Sequence, residues 1–238
     1  MRRHPRRGEA SRAVTSGRGT GPAATAGSPD RGAAVGRGIG IGLMNTLWRP
    51  RVLGAWRVPA NGPVILAVNH THMIDGPMLM GTAPRPVHFL IKKEAFVGPL
   101  DPFLRGIGQL PVDRSGTDRT AVTGALDVLA AGHVLGIFPE GTRGEGDFAA
   151  LRAGLAYFAV RSGAPVVPVA VLGSTDRAGR LVRRLPALRS RVDLVFGEPF
   201  RAGDGSGRRT RAALDAATVG IQERLSAHLT EARRLTGR

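Results

Sequence analysis

The run Val64–Val68 (VILAV) constrains this chain more than any other stretch of it. Five apolar, mostly β-branched residues stop abruptly at Asn69-His70, which reads as a buried strand delivering its last residues to a loop. Comparable runs lie at 87–91, 108–114, 134–138, 166–172 and 192–196. Pro168 inside the run 166–172 predicts an edge or bulged strand there. Helical signals fall between the runs. A helix is expected to start near Asp75 and end by Gly81 and Pro84, and 96–108 reads as a loop with short helical pieces. Residues 118–131, capped from 115–117, present Val122, Leu126 and Leu129 at helical spacing, and 149–162 present Leu151, Leu155 and Phe158. A closing helix from Asp204 or Ser206 carries a stripe of Leu214, Ile221, Leu225 and Leu229. Strands alternating with helices predict an α/β fold, a layered sheet flanked by helices.

An acid follows His70 five residues on, at Asp75. On one continuous helix the two would stand about 140° apart, so they meet only if the chain turns between strand and helix. His70 would then lie at the carboxyl end of a strand, where open α/β sheets hold ligands, and Asp75 at a helix start, where the dipole favours an anion. Such a pair is either a general base, with the carboxylate fixing the tautomer, or a cap that satisfies a turn. His72 would share a face with His70 on extended chain, as metal ligands do. With no cysteine in the chain, and with His88 inside a separate apolar run, a zinc site is disfavoured. Arg114 and Arg143 each follow an apolar strand, suited to a two-pronged grip on a phosphate or to pairing with Asp113 and Glu140.

The formal charge is +16, and the cations concentrate at both ends of the chain. Basic ends suit a polyanion, either nucleic acid or an anionic membrane surface. An aromatic content of 5% with a single tyrosine leaves few stacking platforms, which disfavours nucleic acid. There is no apolar run of the ~18 residues that a spanning helix needs, and no apolar core of a secretory signal behind the first arginines. The expectation is a peripheral protein at the cytoplasmic face of the cell membrane. Residues 1–38, rich in Arg, Gly, Ala and Ser, are expected to be a disordered tail ahead of a folded domain at 39–238. Residues 39–48 are either an interfacial helix edged by Trp48 and its flanking arginines or a segment packed on the core.

Four blocks in order give the chain a resemblance to the glycerolipid acyltransferase family, in its 1-acylglycerol-3-phosphate acyltransferase group. Asn69-His70-Thr-His-Met-Ile-Asp75 matches its N-H-x4-D block and Gly108-Gln-Leu-Pro-Val-Asp-Arg114 its second. Phe138-Pro-Glu-Gly-Thr-Arg143 matches the third and Val167-Pro168-Val169 the fourth. The likeness spans about residues 45–200. Gly144 and Arg152 depart from it, standing where many members have Ser and Lys. The resemblance implies that His70 is the base, oriented by Asp75, and that His72 holds a variable position. It implies an acceptor phosphate held by Arg114 and Arg143, in a pocket shaped by Glu140, Gly141 and Thr142. The implied reaction moves an acyl chain from acyl-CoA or acyl carrier protein, a co-substrate rather than a cofactor, to the free hydroxyl of 1-acylglycerol-3-phosphate, giving phosphatidic acid. No metal is implied. Glycerol-3-phosphate or another lysolipid is the alternative acceptor, and a non-catalytic binder of anionic lipid or nucleic acid is the alternative of a different class.

Overall fold

The computed structural model describes residues 31–116, 118–141, 145–174, 186–202 and 210–238. Helix α1 (Arg31–Leu47) leads into strand β1 (Arg49–Leu53), followed by β2 (Val64–Val68), α2 (Asp75–Thr82) and β3 (Val87–Lys92). After a short α3 (Leu100–Gly106) come β4 (Leu110–Val112), α4 (Arg119–Ala130), β5 (Val134–Ile137) and α5 (Gly154–Ser162). The chain closes through β6 (Val166–Leu172), β7 (Arg191–Phe196) and α6 (Arg211–Thr236).

The strands form one sheet in the order β1-β7-β6-β2-β5-β3-β4, parallel at every step except β6 against β7. Alternate residues of β2 face opposite layers. Ile65 and Ala67 join the core beneath α4, α5 and α6, while Val64, Leu66 and Val68 join the core beneath α1 and α2. From β2 the chain crosses to β3 through α2 on one face, and from β5 it crosses to β6 through α5 on the other. Because β2 and β5 are neighbours, the loops leaving their carboxyl ends part in opposite directions and open a crevice. That crevice is where the polar residues after both strands meet.

Several elements differ from the sequence reading. Strand β6 lies between β7 and β2 with every residue buried and so is not an edge, while its pairing on the β7 side slips by one residue beside Pro168, from Val169↔Phe196 to an isolated bridge at Val166↔Phe200. Pro168 is tolerated because its missing N–H falls on the β7 side just where that ladder runs out. The β6–β7 register begins at Val169↔Phe196, and the Pro168 carbonyl accepts from Gly197 N at 2.8 Å. Helix α1 starts at Arg31, so 31–38 is helical where a tail was expected, and 1–30 lie outside the described residues. Trp48 is buried, with Nε1 near Pro186 O (3.4 Å), and so is no interfacial edge.

Of the two glycines that count against a helix at 39–48, Gly40 is what lets α1 pack closely on α2. A Cβ on Gly81 of α2 would meet Gly40 O at 2.5 Å, so the two backbones touch directly. Strand β1 was not anticipated at all. In α4 the buried face is Ala121, Ala125 and Leu129, with Val122 and Leu126 left half-buried, and its cap is Asp118, whose carboxylate accepts from Ala121 N at 3.0 Å. Helix α5 begins only at Gly154, after an irregular stretch. Helix α6 begins at Arg211 with Thr210 as its cap; the expected start at Asp204 or Ser206 lies outside the described residues.

Candidate active site

His70 leaves the end of β2, and the turn through Thr71 and His72 brings Asp75 back beneath it. Asp75 Oδ2 stands 3.1 Å from His70 Nδ1 and accepts the backbone N–H groups of Thr71 (2.9 Å) and His72 (2.6 Å). The carboxylate is fully buried at the first turn of α2, where the dipole supports its charge. One acid therefore both shapes the turn and orients the imidazole. With Nδ1–H directed at Asp75, Nε2 is the ring nitrogen able to take a proton.

Neighbouring elements fix the ring from other sides. His70 stacks on Phe138, with ring centroids 4.1 Å apart and planes at 27°. Phe138 in turn stacks on Phe89 at 5.6 Å. Asn69 ties the end of β2 to β6: its Nδ2 donates to Val171 O (3.1 Å) and its Oδ1 accepts from Val171 N (2.7 Å). Thr71 Oγ1 and Ser174 Oγ share a hydrogen bond of 2.9 Å one step further out. Neither Asn69 nor Phe138 was singled out from the sequence, although each stands inside a matched block. Their partners lie far along the chain, so spacing alone carries no signal for them.

The predicted phosphate residues are placed unequally. Arg114 lies on the same edge as His70, and its Nη1 donates to Gly141 O at 2.7 Å, so it supports the loop after β5. It pairs with neither neighbouring acid. Asp113 binds Lys93 and Ser115, and these partners hold its carboxyl well below the usual carboxylate range. Glu140 sits half-buried in the crevice, where burial pushes its carboxyl pKa up against the opposing pull of the Phe148 and His70 backbone N–H groups. Gly141 has φ 74°, and the Arg152 side chain packs where its Cβ would stand, so only glycine fits. Thr142 and Arg143 lie outside the described residues. Among the described residues no three His, Asp or Glu side chains converge to hold a metal ion.

His70 opens on a groove of about 600 Å³ between α1, α2 and the ends of β3 and β5. Its wall is mostly apolar, with Ile39, Leu43, Met73, Met80, Phe89 and Phe103 among the lining side chains. Lys92 and Arg114 are the cations on it. Fold and site together define an α/β protein that presents a carboxylate-oriented histidine to a mostly apolar groove edged by two cations.

The chain belongs to the acyltransferase family, whose model, described as Acyltransferase, matches residues 49–172. It is similar to the 1-acyl-sn-glycerol-3-phosphate acyltransferase of Bacillus subtilis (strain 168), with 28% identity over 177 residues, covering 74% of this chain and 85% of the relative. It also resembles the crystal structure of the 1-acyl-sn-glycerophosphate (LPA) acyltransferase PlsC from Thermotoga maritima. That match has a TM-score of 0.63 at 22% identity over 87% of this chain and 80% of the other, a likeness of fold.

Proposed function

We propose that this protein transfers an acyl chain from a coenzyme A or carrier-protein thioester to the free hydroxyl of 1-acylglycerol-3-phosphate, yielding phosphatidic acid. The observation that carries this reading is the His70–Asp75 pair at 3.1 Å, set at the end of an apolar groove. In the proposed reaction His70 Nε2 takes the hydroxyl proton as the oxygen attacks the thioester carbonyl carbon. The C–S bond then breaks, and the imidazolium returns its proton to the departing thiolate. Asp75 holds the ring and stabilises its charge through this cycle. Transfer is direct, with no acyl-enzyme. The similar Bacillus protein, a 1-acyl-sn-glycerol-3-phosphate acyltransferase, supports this acceptor.

Arg143 and Arg114 are proposed to hold the acceptor phosphate, with Glu140, Gly141 and Thr142 shaping the loop between them. The link from Arg114 to Gly141 O supports a shared scaffold for these residues. We further propose peripheral attachment to the cytoplasmic face of the membrane. Among the described residues no helix is long and apolar enough to cross a membrane. Val35, Ile39 and Leu43 line one exposed face of α1, and the last two border the groove, so an inserted acyl chain would pass directly into the site.

The test is purified protein with labelled acyl-CoA and a panel of 1-acylglycerol-3-phosphate, other lysophospholipids and glycerol-3-phosphate. Labelled phosphatidic acid should dominate. Faster acylation of another acceptor would reassign the substrate, and no transfer to any of them would remove the reading.

A further inference from the structure

A second cavity, of about 880 Å³, opens on the opposite face of the sheet, between α4, α5 and the ends of β4 and β5. Of its lining residues, only Arg114 and Gly141 belong to the reaction proposed above. It exists because α4 turns small residues inward. Ala121 and Ala125 pack on the core, which leaves Val122 and Leu126 half-buried as an apolar wall of the cavity. Leu155 and Phe158 of α5 form the facing wall.

Its polar lining is strongly cationic. Arg114, Arg119, Arg152 and Arg161 border it, and among the described residues none of the four lies in an ion pair. The two acids on its margin are already engaged, Asp113 with Lys93 and Ser115, and Asp118 as the cap of α4. The cavity therefore offers an apolar slot with an unneutralised arginine rim. It also communicates with the histidine: Leu90, Arg114 and Phe138 line both this cavity and the groove of His70. Phe138, stacked on His70, is the partition between them.

A transfer between two substrates needs two approaches to one base. The first groove is apolar and continuous with the exposed face of α1, which suits a lipid. The second combines apolar walls with arginines, which suits a flexible chain ending in phosphate. Resting on the proposed reaction, we infer that the second cavity receives the phosphopantetheine arm of the thioester donor. Its phosphate would meet Arg119 and Arg161, and its thioester would reach His70 past Phe138. Coenzyme A and an acyl carrier protein both present this arm, so the cavity serves either source.

The experiment uses the full chain and two variants, Arg119→Glu/Arg161→Glu at the exposed rim and Leu126→Trp, which fills the slot. Unacylated coenzyme A is titrated calorimetrically, and KM is measured for acyl-CoA, for the same acyl chain on carrier protein, and for the lysolipid acceptor. Both variants should bind coenzyme A at least about tenfold more weakly, as expected for lost charge-assisted contacts and a blocked slot. Donor KM should rise in parallel while acceptor KM holds. A rise for both donors assigns the contact to the shared phosphopantetheine phosphate, whereas a rise for acyl-CoA alone would place it at the nucleotide end and overturn the inference. Arg161→Lys should recover part of the loss. If Leu126→Trp melts early, the exposed charge reversal decides alone. Donor KM unchanged in the rim variant, or acceptor KM rising with it, would overturn the inference. Coenzyme A binding needs no turnover, so a failed cavity and a failed reaction give different results: the first leaves transfer intact, the second leaves the titration intact.

Discussion

At the scale of single residues, the 69–75 turn performs several jobs at once. Asp75 collects three donors with one oxygen, so a change there would disturb the turn as well as the base. Phe138 gives a cleaner probe, because it touches the imidazole without shaping its loop. Phe138→Leu removes the 4.1 Å stack while keeping apolar volume. It should lower kcat by up to about tenfold, in line with the ~0.5–1.5 kcal/mol of an aromatic pair, and leave acceptor KM nearly unchanged. Steady-state kinetics beside a thermal melt would check this, and a changed KM with normal kcat would assign Phe138 to substrate binding instead. The His70–Asp75 pair was legible in the sequence because a strand end, a turn and a helix start lie within one short stretch. Asn69 and Phe138 were not, since their roles exist only once β6 and β3 stand beside β2 and β5.

Among the elements, α1 shows most plainly where propensity misleads. Its glycines predict a weak helix, yet Gly40 and Gly81 mark the closest approach of α1 to α2. Gly81→Ala should destabilise the protein by about 1–3 kcal/mol, the usual range for overpacking. Gly42→Ala, which meets nothing within 4 Å, should stabilise it by about 0.5–1 kcal/mol through helix propensity alone. Denaturant melts of the two variants should move in opposite directions. A pair of equal shifts would mean that α1 is not held by this contact. The same lesson applies to α4, where large apolar residues drew the predicted face and alanines formed the real one. Strand β1 was illegible because Arg49, Pro50 and Arg51 carry no apolar pattern. Its outer position tolerates the proline, and Arg51 is drawn in by the buried Asp193 (2.7 Å).

For the molecule as a whole, charge and acidity give two further predictions. His228 on α6 is half-buried, and its Nε2–H donates to Val195 O at 2.9 Å. Burial lowers its pKa below the ordinary histidine value, with Arg57 adding to the effect. The unfolded chain thus binds a proton below about pH 6.5 that the folded one resists, so stability falls as pH drops below that value. His228→Gln keeps the donor without the titration and should flatten the dependence of the melting temperature between about pH 7 and 5. An unchanged slope would clear His228 of that role. The basic N-terminal residues are proposed to act as an electrostatic tether to an anionic surface. Deleting residues 1–30 should leave turnover on detergent-dispersed substrate unchanged. Binding to anionic vesicles at low salt should weaken by up to about 1 kcal/mol for each arginine lying near the surface, and unaltered vesicle binding would discard that tether. Alternating strands and helices made the α/β layering legible from the start, whereas strand order and the second cavity depend on packing that no local pattern records.

The central claim is that His70, and not its neighbour His72, is the base of an acyl transfer. The direct measurement is the initial rate of labelled phosphatidic acid formation from 1-acylglycerol-3-phosphate by wild type, His70→Ala and His72→Ala, with folding checked by circular dichroism. His70→Ala should lose about 10²–10⁴ in rate and His72→Ala should change little, both with native spectra. Retention of near wild-type transfer by a folded His70→Ala enzyme, or the large loss appearing at His72 instead, would contradict it.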